Sequence, residues 1–264
     1  LHALAKGARH LDRAADRVPL GTPRIAAWCG VLAAGLMIPG GDPRRSFGET
    51  GLRRALEQSM FDDGGTVGRS PWGQLDAVQL LTILANAYEA RRLEPPAFVA
   101  SALGRMVTAL LGVCHGDKGL GSWQGSAPVP GALIEQAVEA TGVRTRPLKQ
   151  AREWGYQRLN AGGTVLIVDA APPPLARLAA GGCASTLAFE LSDGPHRIVV
   201  NCGGSNMANA ALPAALSEGL RTTAAHSTLV LADSNSTAIH PDGSLGRGVV
   251  EVELARTESE NGSR

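Results

Sequence analysis

The stretch Arg221–Leu231, RTTAAHSTLVL, sets His226 where small polar residues give way to an apolar run. An imidazole in such a place can move a proton near neutral pH or ligate a metal. Cys183, Asn201 and His226 lie on or beside three successive β-like segments, so they converge at one end of a sheet if those segments pair. Cysteine and histidine are reasonable zinc ligands, asparagine is a poor one, and two good ligands rarely hold zinc alone. Two readings follow: a metal pair at Cys183 and His226, or a buried cysteine beside a histidine whose ring is satisfied by a backbone carbonyl.

Two glycine-rich stretches add chemistry. In Phe61–Pro71, FDDGGTVGRSP, the glycines let the backbone turn sharply and approach a ligand, while Asp63 and Arg69 supply charge. A guanidinium fork matches a carboxylate or sulfate through two parallel hydrogen bonds. The same residues also fit a plain helix-to-helix loop, with Ser70 capping the next helix and Pro71 at its first position. A phosphate loop is disfavoured, since nothing resembles GxxxxGK[ST] and no strand precedes. In His115–Gly125, HGDKGLGSWQG, Trp123 could stack on a sugar ring while His115, Asp117 and Gln124 bond its hydroxyls; the alternative is a solvated loop. There is no GxSxG, no HExxH and no Cys/His zinc-finger spacing, so those hydrolytic and metal motifs have no support.

The elements that must position these residues change character part-way along. Leu75, Val78, Leu81, Leu84, Ala85 and Tyr88 recur at three- and four-residue spacing, which predicts an amphipathic helix to about Arg92. Pro95-Pro96 announces another with Phe98, Val99, Leu103, Met106, Val107 and Leu110 as its stripe. Pro130 opens a third, with Gly142 as its stop. Residues 2–15, 23–37 and 51–60 also read as helices. Beyond about Ala151 the period becomes two. Hairpins are expected at 156–169, around a four-residue turn Asn160–Gly163, and at 186–201, around Ser192–Pro195. Further strands are expected at 226–231 and 249–254. The join falls near Thr145–Glu153, dividing the chain into a helical domain, 1–148, and a sheet domain, 149–264.

Bulk numbers narrow the function classes. With 44% hydrophobic and 19% charged residues, a sizeable core is expected rather than disorder. Twenty-five basic against 24 acidic side chains, net +1, argues against a nucleic-acid partner, though a few arginines in one cleft would suffice for an anionic sugar. The four cysteines form no CxxC pair, which disfavours a disulfide scaffold. The most apolar run, Ile25–Ile38, is shorter than the roughly 20 residues of a membrane span. Opening on Leu1 in a helical pattern, the sequence reads as a fragment.

Helices followed by antiparallel strands, with DGGTVGRSP, GYQRLNAGGTVLIVD, CASTLAFELSDGPHRIVVNCG and RTTAAHSTLVL in that order, resemble the heparinase II/III-like family of bacterial proteins. The resemblance covers the chain from about Phe61 onward. It implies the end of an (α/α) toroid followed by the start of a β-sandwich, in the periplasm or cell envelope. It also implies polysaccharide lyase activity on acidic, uronic-acid-containing glycans. Such lyases work by β-elimination: a base takes the proton beside the uronate carboxylate, an acid protonates the leaving oxygen, and a polar or cationic group neutralises the carboxylate. On this chain the resemblance leaves Tyr156, His226 and Arg69 as catalytic candidates, with Asp63, His115, Trp123 and Gln124 as substrate contacts. Tyr156 equally fits a ring packed between the domains, and Arg69 an interface salt bridge. Family members with zinc hold it through a His-x-His-x-Asp segment, an Asp ending the next strand, and the His of an AAH[NS]T segment. His226 fits the last, whereas Gly181, Cys183, Ser185 and Asn201 stand at the others. The usual zinc site is therefore expected to be absent, or rebuilt around Cys183 and His226. A degenerate protein that binds glycan or assists envelope-polysaccharide assembly without cleaving is the rival expectation.

Overall fold

The computed structural model describes residues 2–175, 181–204, 212–259 and 262–263. Six helices come first: α1 (His2–Ala14), α2 (Thr22–Met37), α3 (Asp42–Ser59), α4 (Pro71–Ala90), α5 (Ala97–Gly112) and α6 (Gly131–Ala140). Pro23, Pro43 and Pro71 sit in the first turns of α2, α3 and α4, where a missing N–H costs nothing. Ser70 caps α4 by accepting a hydrogen bond from the Gly73 N–H at 3.2 Å.

Helix α3 begins nine residues earlier than expected. Gly48 and Gly51 interrupt the apolar period there, yet they are what the packing needs. A Cβ on Gly48 would lie 2.9 Å from the Leu32 Cα, and one on Gly51 2.1 Å from the Trp28 ring. The two glycines thus let α2 and α3 approach closely. Ile25, Leu32, Leu52, Leu81, Met106 and Leu110 are fully buried in the resulting core. No helix among the described residues is long and apolar enough to cross a membrane.

The second part is built on a four-stranded antiparallel sheet in the order β1 (Tyr156–Ala161), β2 (Thr164–Asp169), β3 (Phe189–Asp193), β4 (His196–Val199). Ala161 pairs with Thr164, so the first turn is Gly162-Gly163, two residues rather than the expected four. Gly162 has φ +57°, which a two-residue hairpin turn requires. The second hairpin turns at Gly194-Pro195. A short helix α7 (Ala214–Gly219) and a ribbon of β5 (Thr237–Ile239) with β6 (Leu245–Gly248) follow, then a two-residue pairing of Glu258–Ser259 with Gly262–Ser263.

The strands expected at 226–231 and 249–254 do not form. The Phe189 N–H donates to the Ser227 carbonyl and the Ser227 N–H to Asn201 Oδ1, so this segment is pinned by single irregular bonds instead of a ladder. Leu229 and Val250 are more than four-fifths exposed. Alternating apolar residues mark a face that calls for cover, but a strand also needs a neighbour. Among the described residues neither segment pairs into a ladder, and Leu231 makes only an isolated bridge to Ser234.

Candidate functional site at the helix–sheet seam

The sheet turns one face toward the helical part. Val165, Ile167 and Asp169 of β2 are buried alternately, as are Glu190 and Ser192 of β3, and Ile167 lies between Arg158 and Glu190 in the register. The pleat therefore drives two carboxylates inward on the same face as the aliphatics. The loops following α3 and α5, residues 60–70 and 113–130, meet that face.

Asp169 is the first hub. Its Oδ1 accepts a charge-assisted hydrogen bond from Arg69 Nη2, and its Oδ2 accepts from Ser185 Oγ at 2.8 Å and Gln124 Nε2 at 3.2 Å. Arg69 also donates from Nε to the Trp154 carbonyl at 2.7 Å and from Nη1 to the Pro172 carbonyl. Its guanidinium lies 5.2 Å from the centroid of the Tyr156 ring, and the Tyr156 hydroxyl donates to the Arg69 carbonyl at 2.7 Å. Arg69 holds φ +55°, a left-handed turn kept by this surrounding network. Burial opposes its charge, but Asp169 beside it outweighs that and raises the guanidinium's pKa. Burial pushes the Tyr156 hydroxyl well above its ordinary value, so the phenol keeps its proton.

Glu190 is the second hub. Its Oε2 meets His115 Nε2 at 2.9 Å and Arg197 Nη1 at 3.4 Å. Its Oε1 accepts from the Ser122 N–H, the Asn201 N–H and Asn201 Nδ2 at 2.9, 3.1 and 3.2 Å. Ser192 Oγ accepts from the Gly116 N–H at 3.2 Å and lies within hydrogen-bond distance of His115 Nδ1, also at 3.2 Å. Burial lowers the His115 pKa. Trp123 is buried, lying parallel to His115 at 6.4 Å and tilted against Tyr156 at 5.4 Å.

The seam therefore brings Arg69, Tyr156 and Gln124 together around Asp169, and His115 and Trp123 beside it near Glu190. Asp63 stands apart, accepting from the Glu153 and Trp154 N–H groups at 2.9 Å and pinning the inter-part connection. His226 donates from Nδ1 to the Thr222 carbonyl at 2.8 Å, which is the carbonyl-satisfied arrangement, while its buried Nε2 has no partner among the described residues. Burial lowers its pKa, with Asp169 and Glu190 within electrostatic reach. Sequence reasoning missed the two hubs. The signal was parity: Asp169 shares the inward phase of Val165 and Ile167, as Glu190 shares that of Ser192.

Residues 143–264 match the family model described as Heparinase II/III-like, C-terminal. The sheet part is thus similar to heparinase II/III-like C-terminal domains. FtsZ-localized protein C of Caulobacter vibrioides is 29% identical over 244 residues, 92% of this chain and 40% of that protein. The crystal structure of Heparinase III superposes with TM-score 0.67 at 15% identity, covering 88% of this chain and 42% of that one. Heparan sulfate lyase HepC from Pedobacter heparinus gives 0.63 at 18%, covering 82% and 38%. The mixed architecture of helices and antiparallel sheet is thus that of heparinase III, and this chain spans about two fifths of the length of these relatives.

The donor set of the sheet part does not fit zinc. Cys183 Sγ is 3.5 Å from the Gly181 carbonyl, and burial pushes its thiol up to about 11. Asn201 turns its amide N–H to Glu190, and Ser185 turns its hydroxyl to Asp169. Among the described residues no three His, Cys, Asp or Glu side chains converge on one point.

Proposed function

We propose that this chain belongs to a protein that keeps the heparinase-type scaffold for assembly rather than for cleaving glycan, and that it localises with FtsZ. One observation carries the first half: Tyr156 and Arg69 are buried and bonded to each other and to the inter-part network. In β-elimination a base must reach the proton beside the uronate carboxylate, and a cationic or polar group must meet the carboxylate itself. Here the Tyr156 hydroxyl gives its hydrogen to the Arg69 carbonyl, and the Arg69 fork is occupied by Trp154, Pro172 and Asp169. The second half rests on FtsZ-localized protein C, whose 29% identity along 92% of this chain exceeds the 15–18% of the lyases. In this reading residues 1–148 are the end of an (α/α) toroid and residues 149–264 the start of a β-sandwich, with the polar seam as their permanent join. A fluorescent fusion of the full-length protein is expected to coincide with FtsZ, and the purified protein to yield no unsaturated product, followed by absorbance, from a panel of uronate polymers. A diffuse fusion, or product formation, overturns the reading.

A second reading is a polysaccharide lyase acting on an acidic glycan in the periplasm or envelope. His226 Nε2 favours it, a buried ring nitrogen with no hydrogen-bond partner among the described residues and within electrostatic reach of Asp169 and Glu190. Product formation abolished by His226→Gln would establish it.

A further inference from the structure

We infer that the place of the family's zinc is taken in this chain by a metal-free hydrogen-bonded plug that locks the sheet to the helical loops. Two of the replaced positions have become donors to a buried carboxylate. Ser185 Oγ donates to Asp169 Oδ2 at 2.8 Å, and Asn201 Nδ2 donates to Glu190 Oε1 at 3.2 Å. An aspartate at either position would set two buried carboxylates against each other, a contact that a bound cation could neutralise and this network cannot. The third replacement, Cys183, receives Gln124 on its backbone: its N–H donates to Gln124 Oε1 at 2.9 Å, and the same amide reaches Asp169 and Ser185 through Nε2. Gln124 comes from the loop after α5, so this plug ties the helical part to the segment where the metal ligands would stand. Ser227 is drawn in as well, its N–H donating to Asn201 Oδ1 at 2.7 Å. His226 fits the family's position, but among the described residues it faces no second ligand and its Nε2 has no bond. The change from Asp to Asn and from Asp to Ser is therefore a change of role, from metal ligand to hydrogen-bond donor.

The test uses the full-length protein, incubated with excess zinc, desalted, assayed for metal and melted with and without EDTA. No stoichiometric zinc and a Tm unmoved by EDTA are expected; one retained equivalent with a Tm lowered by EDTA overturns the inference. Asn201→Asp and Ser185→Asp are each expected to lower Tm at neutral pH, with added zinc giving no recovery. A Tm that is unchanged by both substitutions, or restored by zinc, overturns it too. Both arms read metal content and stability, so they are independent of whether the protein cleaves glycan.

Discussion

Helices α2 to α5 bury Ile25, Leu32, Leu52, Leu81 and Leu110 against one another, whereas β2 and β3 bury Asp169 and Glu190. The two parts thus solve the same problem with different chemistry. Aliphatic packing is non-directional and tolerates small shifts of one helix over another. A buried carboxylate tolerates none, because each lone pair must keep a donor. The helical part is accordingly a scaffold of interchangeable contacts, and the seam is a set of specific ones. The lesson for function is that charge inside a heparinase-type fold does not by itself mark catalysis: here every oxygen of both carboxylates is bonded within the protein.

Breaking the seam is expected to do most harm. Asp169→Ala leaves the Arg69 guanidinium buried without its counter-charge, which destabilises by about 3–5 kcal/mol. Urea denaturation measures it. Pairing that change with Arg69→Met, which removes the stranded charge, should recover a large part of the loss in a double-mutant cycle. If Asp169→Ala costs no more than an exposed substitution, the distinction between the two parts fails. Leu81→Ala in α4 probes the other side of the comparison. Leu81 is fully buried, and its loss leaves a cavity costing about 3 kcal/mol, with no dependence on pH and no partner whose removal recovers it.

Acid sharpens the contrast next. Burial lowers the pKa of His115 and His226 below their ordinary 6.5. The unfolded chain then takes up protons at higher pH than the folded one, so stability is full above 6.5 and declines as pH falls below it toward the folded values. His226 feels Asp169 and Glu190, and His115 feels Glu190, Arg197 and Asp117. His226→Gln should flatten the decline just below pH 6.5, read as urea midpoints across a pH series. An unchanged slope would mean the ring already charges in the folded state.

The same contrast explains what the residue pattern disclosed. Periodicity located α4, α5 and α6, because apolar residues on one helix face leave a 3.6-residue trace. It placed the start of α3 too late, because Gly48 and Gly51 serve Leu32 and Trp28 on another helix. Hairpins β1–β2 and β3–β4 were legible from their alternation and glycine turns, though their turn lengths needed the register. Segments 226–231 and 249–254 misled for the opposite reason: alternation says what a strand would bury, not whether a neighbour exists. At the seam, Arg69, His115, Trp123, Gln124 and Tyr156 stood out by type, but their partners did not. Asp169 closes an apolar strand and Glu190 interrupts one, and only the three-dimensional pairing reveals their partners from the helical part, 45 to 100 positions away.

The smallest expected effect compares two helix ends. Helix α6 stops at Gly142, which takes φ +67° and donates its N–H to the Glu139 carbonyl at 3.0 Å. Helix α4 stops in the same way, the Arg92 N–H reaching the Glu89 carbonyl at 2.8 Å and the Leu93 N–H the Tyr88 carbonyl at 3.0 Å. Yet Arg92, with a Cβ, must hold φ +55°. Left-handed backbone costs an L-residue about 1–2 kcal/mol, and a glycine in the unfolded chain gives back about 0.4–1 kcal/mol in lost entropy. Arg92→Gly should therefore stabilise by roughly 0.5 kcal/mol, while Gly142→Arg should destabilise by a similar amount. Paired urea curves would resolve the opposite signs. Two changes of the same sign would mean that Arg92 is held by its side chain over the α4–α5 connection rather than tolerated there for its backbone.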